Sequence, residues 1–226
     1  NYLKNGGHLL LMREAEDKLP KALVEYIGIE KVTGNLIDEK GFSSGTPHPA
    51  ILIIDEFNQH AVMNNIQSLI ALPWSVGLES SKVEFDNLWK ESVALYSHNQ
   101  VWNELNREQN QPEYNQSLGE VRKSYKLAIS LEREFGRKAK GQNKQRILVV
   151  GDSSFLSDAA INNYANQQLA VNMVSWLLSS QNQLIEIPYK DNSIETTVFS
   201  HFMLSWFLSF IFPFLFFLVY AFNINS

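Results

Sequence analysis

The stretch Arg146-Ile147-Leu148-Val149-Val150-Gly151-Asp152-Ser153-Ser154-Phe155 (RILVVGDSSF) carries the strongest fold signal in this chain. Its run of branched apolar residues is typical of a strand covered on both faces, and the Gly-Asp pair that follows predicts a sharp turn. Turns at the carboxyl ends of strands are where open α/β sheets place their ligand crevices. The stretch therefore predicts both a class of fold and the position of a site.

Apolar runs on either side of this stretch predict further strands and helices. Apolar residues at helical spacing before Gly28 (Leu19, Leu23, Val24 and Ile27) predict one helix. An apolar stripe within residues 167–179 predicts a second. Residues 69–78 contain Pro73-Trp74, which predicts an irregular segment or an edge strand, and the polar residues 99–116 predict a long exposed connection. Strands that alternate with helices predict an α/β fold with an open, mostly parallel sheet. The predicted strands are 9–12, 29–32, 51–54, 92–96, 127–131, 146–150 and 184–187, and the helices are 19–27 and 167–179.

The segment from Phe199 to Phe222 holds nine of the fourteen phenylalanines, and no charged residue follows Glu195. As a helix it would be about 36 Å long, slightly more than the roughly 30 Å hydrocarbon core of a bilayer. We therefore predict one transmembrane helix; the alternative is a buried core helix or hairpin. The predicted domains are 1–195, an α/β domain, and 196–226, the helix with a short tail.

Composition limits the classes of function. The chain has no cysteine, which excludes a thiol nucleophile, a disulfide and a thiolate metal site. It contains no glycine-rich phosphate loop, so ATP hydrolysis is not expected. The net charge is -5, yet residues 120–146 carry nine basic and three acidic side chains. That basic run either meets phosphate or lipid head groups or is a solvated surface; few aromatic residues interleave with it, so no nucleic-acid partner is predicted. The chain begins at Asn1 without a start methionine, which predicts a longer protein.

The predicted crevice contains Asp152 and Ser153, and we extend it to His48. Prolines on both sides of His48 keep the backbone extended and hold the imidazole in a defined place. A ligand-binding role for these three residues is the prediction. The alternatives are a surface loop at His48 and a tight turn in which the side chains of Asp152 and Ser153 bond to the backbone.

Gly151-Asp152-Ser153 also matches the Gly-Asp-Ser nucleophile motif of lipase-like esterases. A serine there needs a histidine base and an orienting carboxylate. The expected late histidine is missing, since only His201 follows the motif, although His8, His48, His60 and His98 lie upstream. An esterase using Ser153 is therefore the alternative function, and no catalytic residue, metal ligand or cofactor is assigned.

Three segments together resemble a known family: Leu3-Lys4-Asn5-Gly6-Gly7-His8-Leu9-Leu10, then Val149 to Phe155 with Asn166, Asn172 and Trp176-Leu177, then the last strand with its apolar segment. They are similar to the auxiliary component of ABC transport systems associated with gliding motility, over nearly the whole chain. In that family the corresponding region resembles class I glutamine amidotransferases without their catalytic cysteine.

The resemblance implies a flavodoxin-like, amidotransferase-like sheet and a non-enzymatic, membrane-anchored accessory subunit. Its partners would be a separately encoded ABC permease and ATPase and the membrane, with a small-molecule or glycan ligand. Its place would be the cytoplasmic (inner) membrane, with the soluble domain in the periplasm. In this chain the residues after Phe222 include no basic side chain, unlike the usual pattern of the family.

Overall fold

The computed structural model describes residues 1–81, 89–106, 112–134 and 144–178, all of them within the compact unit Asn1–Glu186. Three α-helices and several single 3₁₀ turns connect short strands in this part of the chain. The helices are α1 (Lys21–Ile27), α2 (Glu39–Ser43) and α3 (Asn166–Leu177). The strands are β1 (Leu9–Met12), β2 (Ile29–Lys31), β3 (Asn35–Ile37), β4 (Ile51–Ile54), β5 (Ile70–Pro73), β6 (Leu78–Ser80), β7 (Lys90–Tyr96), β8 (Trp102–Glu104), β9 (Lys126–Glu134) and β10 (Lys144–Val150).

The largest sheet is mixed and curled. Its strands follow the order β1-β10-β9-β6-β2, and β7 pairs with β9 outside this path. β1 and β10 are parallel, with Leu9 opposite Ile147, whereas β10 and β7 both run antiparallel to β9. β3 with β8 and β4 with β5 form two separate antiparallel pairs. The largest buried apolar cluster includes Leu127, Leu148, Phe155 and Leu169, so it contains residues of β9, β10 and α3.

The predicted open, mostly parallel, flavodoxin-like or amidotransferase-like sheet is therefore wrong. The physical reason lies in the connections. Only residues 135–143 join β9 to β10, and a parallel crossover takes a dozen or more residues, usually including a helix. The short connection returns the chain antiparallel to β9. β1 and β10, separated by most of the chain, are left to form the parallel pair.

Several elements agree with the prediction. The strands predicted at 9–12, 51–54 and 127–131 are β1, β4 and part of β9, and the strand before Gly151 is β10. Gly28 ends α1 with a left-handed φ of 64°, as a glycine stop does. The predicted strand at 184–187 lies outside the described residues.

Residues 69–78 contain an edge strand, one of the two predicted alternatives: among the described strands β5 pairs with β4 alone, and Ile70, Ala71 and Leu72 are buried. The long exposed connection predicted at 99–116 is wrong. β8 lies inside the predicted exposed connection, and Trp102 is only 1% exposed. The polar residue Asn103 is buried there because its amide donates to the carbonyl of Thr33 (3.0 Å) and accepts from the backbone N–H of Val121 (2.8 Å). Tertiary partners of this kind leave no periodic signal in the sequence.

Two asparagines dock α3 onto the rest of the fold. The Asn166 side chain accepts from the N–H of Ala71 (3.0 Å) and donates to its carbonyl (2.8 Å), so it continues the edge of β5 like a backbone group. Asn172 donates to the carbonyls of Val62 (2.9 Å) and Asn64 (2.8 Å). These residues of the sequence resemblance therefore have a packing role.

No helix in the part of the chain that the structure describes could cross a bilayer; α3, the longest helix there, has 12 residues. The architecture that combined the sheet with a transmembrane helix is not supported. The segment from Phe199 to Phe222, on which that prediction was made, and the boundary after residue 195 lie outside the described residues.

Candidate functional site

The candidate site lies at the edge where the parallel strands β1 and β10 both end. The backbone N–H of Arg13 donates to the carbonyl of Val150 (2.8 Å), so the segments that follow β1 and β10 leave the sheet side by side. Gly151 comes next and touches a third segment, since its carbonyl accepts from the N–H of Val76 (2.7 Å). A Cβ on Gly151 would lie 2.1 Å from the carbonyl oxygen of Val76. Only glycine allows this close approach, which brings three chain segments to one edge.

Asp152 is fully buried beneath this edge. One carboxylate oxygen accepts from the N–H of Phe155 (2.9 Å) and the other from the hydroxyl of Ser75 (2.9 Å). Burial raises the pKa of the Asp152 carboxyl to about 7, the two hydrogen bonds oppose the rise, and the nearby Glu14 carboxylate adds to it. Asp152 therefore holds the turn after β10 to the loop after β5. Its carboxyl changes protonation state near neutral pH.

Ser153 is bound by Glu14, the second residue after β1. One oxygen of the Glu14 carboxylate accepts from the Ser153 hydroxyl (2.5 Å), the Ser153 N–H (3.0 Å) and the Ser154 hydroxyl (3.2 Å). The arrangement clamps the loop after β1 to the turn after β10.

Two cations hold the loop after β1 in shape. The Arg13 guanidinium binds the Asp17 carboxylate in a two-pronged pair (2.5 and 3.2 Å). The Lys31 ammonium donates to the carbonyls of Glu14, Ala15 and Asp17 (2.9, 2.7 and 2.8 Å) and to the Asp17 carboxylate (2.6 Å). Burial would raise the pKa of Asp17, but hydrogen bonds from Arg13 and Lys31 outweigh it and lower the pKa.

His48 reaches this edge only through Trp74. The imidazole packs on the indole with ring centroids 4.5 Å apart, and Trp74 precedes Ser75, the partner of Asp152. Trp74 has a left-handed φ of 63° and is 45% exposed. His48 thus contacts Trp74, and no hydrogen bond joins it to Asp152 or Ser153 among the described residues; a shared ligand site of the three residues stays a prediction.

The described histidines share one hydrogen-bonding pattern. In each, Nδ1 accepts a backbone N–H, so the neutral ring carries its proton on Nε2. No hydrogen bond joins Ser153 to any histidine in the described ranges. The donors are Arg146 for His8 (3.1 Å), Ala50 for His48 (3.0 Å), Val62 for His60 (3.2 Å) and Gln100 for His98 (3.3 Å).

One serine and one histidine do meet elsewhere. Nε2 of His60 lies 3.0 Å from the Ser130 hydroxyl, which donates in turn to the carbonyl of Ser92 (3.0 Å). Since Nδ1 of His60 is already an acceptor, Nε2 donates to the serine oxygen, the reverse of what a base requires. Burial lowers the pKa of His60. This contact links the turn before Ala61–Met63 to the sheet.

Sequence reasoning missed Glu14, Ser75 and Trp74. Glu14 carried a usable signal, because it follows the predicted strand at 9–12 directly, at the carboxyl end where sites form. Nothing in the sequence pairs Ser75 with Asp152 across 77 positions. Among the described residues no group of three or more His, Cys, Asp or Glu could hold a metal ion.

Comparison with known proteins yields a likeness of fold. No family model matches the chain, and no curated protein matches it. A solved structure titled "mmIFT52 N-terminal domain" is similar, with a TM-score of 0.53, 15% sequence identity, and coverage of 80% of this chain and 69% of that one. At this identity the similarity concerns the fold alone, and it does not bear on ABC transport components.

Proposed function

We propose that this chain is a non-enzymatic accessory domain that binds another component of a larger assembly through the edge formed by Trp74 and His48. The observation that carries the proposal is the aromatic pair that the exposed Trp74 forms with His48, with ring centroids 4.5 Å apart, next to Ser75 and its bond to Asp152. Trp74 also has a left-handed backbone. A left-handed φ costs a residue with a Cβ about 1–2 kcal/mol. Packing of a half-exposed ring offsets only a small part of this cost in free energy. Backbone strain of this kind is concentrated at binding and catalytic positions.

The polar groups under this edge support binding rather than turnover. Asp152 and Ser153 are each held by hydrogen bonds to neighbouring loops, and the Ser153 hydroxyl donates to Glu14. The same bonds fix the loop of Trp74 against the ends of β1 and β10. A rigid rim under an exposed aromatic pair is suited to recognition, since little side-chain entropy is lost on binding.

The sequence resemblance supplies the candidate assembly, an ABC-type transport system. Its permease and ATPase are the proposed partners, and a ligand-binding or scaffolding role is the proposed contribution of this chain. Co-purification of the full chain from detergent extracts tests this part. Recovery of neither a permease nor an ATPase would contradict the proposed assembly while leaving the surface at Trp74 open to other partners.

Trp74→Gly separates binding from folding. Glycine adopts a φ of 63° without strain. Removing the backbone strain of Trp74 stabilises the fold by about 1 kcal/mol, which offsets the lost contact between the indole and His48. We expect the free energy of unfolding in urea to stay within about 1 kcal/mol of the wild-type value. Recovery of the partner in the co-purification should fall at least about tenfold, as for loss of an aromatic anchor.

Tyr164→Gly is the matched control, because Tyr164 also has a left-handed φ, of 47°, and is 51% exposed. It should keep full partner recovery. Equal recovery with wild type and Trp74→Gly would show that the indole is not part of the interface.

Ser153 is expected to be unreactive as a nucleophile. Its hydroxyl donates to Glu14, and no histidine of the described residues bonds to it, so the base that a serine nucleophile needs is not in place. A fluorophosphonate probe should label the full chain no more than Ser153→Ala does. Stoichiometric labelling that disappears in Ser153→Ala would instead establish the esterase alternative.

A further inference from the structure

A groove of about 320 Å³ opens beside β6, separate from the residues of the candidate site. Its lining includes the buried residues Leu78 and Tyr125. Its volume is at the lower end of the range for small-molecule sites, about 300–1,000 Å³. Tyr96, 39% exposed, borders the groove. The polar side chains around it are Glu79, Ser80, Lys123, Ser124 and Lys126.

The two lysines of the groove belong to the basic run at 120–146. The Lys123 ammonium donates to Glu79 (2.7 Å) and lies 4.9 Å from the centre of the Tyr125 ring. The Lys126 ammonium donates to Ser80 (3.1 Å) and to Glu91 (3.0 Å). Each ammonium has three donors, so neither lysine uses all of its donors in these hydrogen bonds.

The carboxylate partner of Lys123 is replaceable. In the pair of Lys123 with Glu79 the side chains are 42% and 58% exposed, and exposed pairs of this kind contribute little to stability. Only one of the acidic partners, Glu79, lines the groove itself, against two lysines. The lining itself therefore carries two lysines against one carboxylate, while Glu91 outside the lining pairs with Lys126. The hydroxyls of Ser80 and Ser124 already donate to Glu91 (2.6 Å) and to the carbonyl of Ser97 (2.6 Å).

We infer that this groove binds a phosphate monoester through Lys123 and Lys126. A dianionic phosphate group offers three terminal oxygens, enough to accept from both ammonium groups, and charge-assisted bonds of this type are stronger than neutral ones. The exposed ring of Tyr96 provides an apolar wall for the organic part of the ester. This site does not depend on the function proposed for the Trp74 edge.

Titration of the full chain with phenyl phosphate, followed by NMR chemical shifts, tests the inference. We expect saturable binding that weakens as salt is added and that is at least about tenfold tighter than binding of methyl phenyl phosphate, which has a single charge. Lys123→Gln and Lys126→Gln should each weaken binding about tenfold, since each removes a charge-assisted hydrogen bond. Absence of saturable binding by the wild-type chain would overturn the site.

Two variants distinguish the groove from general charge. Lys21→Gln makes the same change in net charge at an exposed pair with Glu25 (3.6 Å) and should bind like wild type. Glu79→Gln removes the carboxylate that competes for Lys123 and should bind about threefold more tightly. Equal weakening by Lys21→Gln, or weakening by Glu79→Gln, would contradict a site at this groove.

The monoester could be a soluble molecule or a lipid head group. Sedimentation with phosphatidylcholine vesicles containing phosphatidic acid, compared with phosphatidylcholine alone, separates the two sources. Binding to the phosphatidic acid vesicles that is lost in the double variant of Lys123 and Lys126 assigns a head group. Phenyl phosphate binding without vesicle binding assigns a soluble ligand.

Discussion

Asp152→Asn is expected to be more stable than the wild-type protein above neutral pH and about equally stable near pH 4. Asp152 is fully buried, and burial raises the pKa of its carboxyl to about 7 from its ordinary value of 3.8. At 1.36 kcal/mol per pKa unit, its ionisation costs the folded state up to about 4 kcal/mol. Asparagine has no proton to lose.

The sign follows from proton binding. Between pH 4 and 7 the folded protein keeps the proton of Asp152 more tightly than the unfolded chain does. The stability that this proton contributes is complete below the unfolded pKa and is lost as pH rises through the folded pKa. Asparagine can keep both contacts, since its carbonyl accepts from Phe155 and its amide can donate to the Ser75 oxygen.

Urea unfolding at intervals from pH 4 to 8.5 measures the effect as the difference between wild type and variant. Subtraction cancels the contributions of Glu104, whose pKa is also raised by burial, and of His60, whose pKa is lowered. Asp158→Asn, which removes an exposed carboxyl of the following turn, should reproduce the wild-type profile. A constant difference across the pH range would show that Asp152 does not titrate with a raised pKa.

Lys31→Met should destabilise the fold by about 3 kcal/mol, since it removes an ammonium whose three N–H groups serve four acceptors and leaves those acceptors without that donor. The ammonium binds three backbone carbonyls and the Asp17 carboxylate at 2.6–2.9 Å. Its side chain is 21% exposed, so water replaces it poorly. The variant should also loosen the loop that carries Glu14.

Lys21→Met is the matched control for chemical unfolding. Its pair with Glu25 is 3.6 Å long and its side chain is 90% exposed, so the expected change is within about 0.5 kcal/mol. Hydrogen exchange should place the loosening of Lys31→Met in residues 13–17 and 153–155. A loss as small as that of Lys21→Met would show that the loop holds its shape without the ammonium.

The same loop explains why the candidate site was only half predicted. Gly151, Asp152 and Ser153 are visible in sequence because a buried strand that ends in Gly-Asp must turn there. Their partners are not, because Glu14 lies 139 positions from Ser153 and meets it only once β1 and β10 pair in parallel. The predicted turn-like role of Asp152 is confirmed by its bond to Phe155. A ligand at Asp152, Ser153 and His48 stays a prediction.

The sequence by itself determined the strands with continuous or alternating apolar residues, the glycine stop after α1, and the sharp turn after β10. Those features depend on neighbours within a few positions, whose preferences are local. Only the tertiary structure decided the direction in which the strands pair, the burial that raises the pKa of Asp152, and the strained exposure of Trp74. These depend on contacts between distant segments, whose free energy is gained only when the sheet closes on its core.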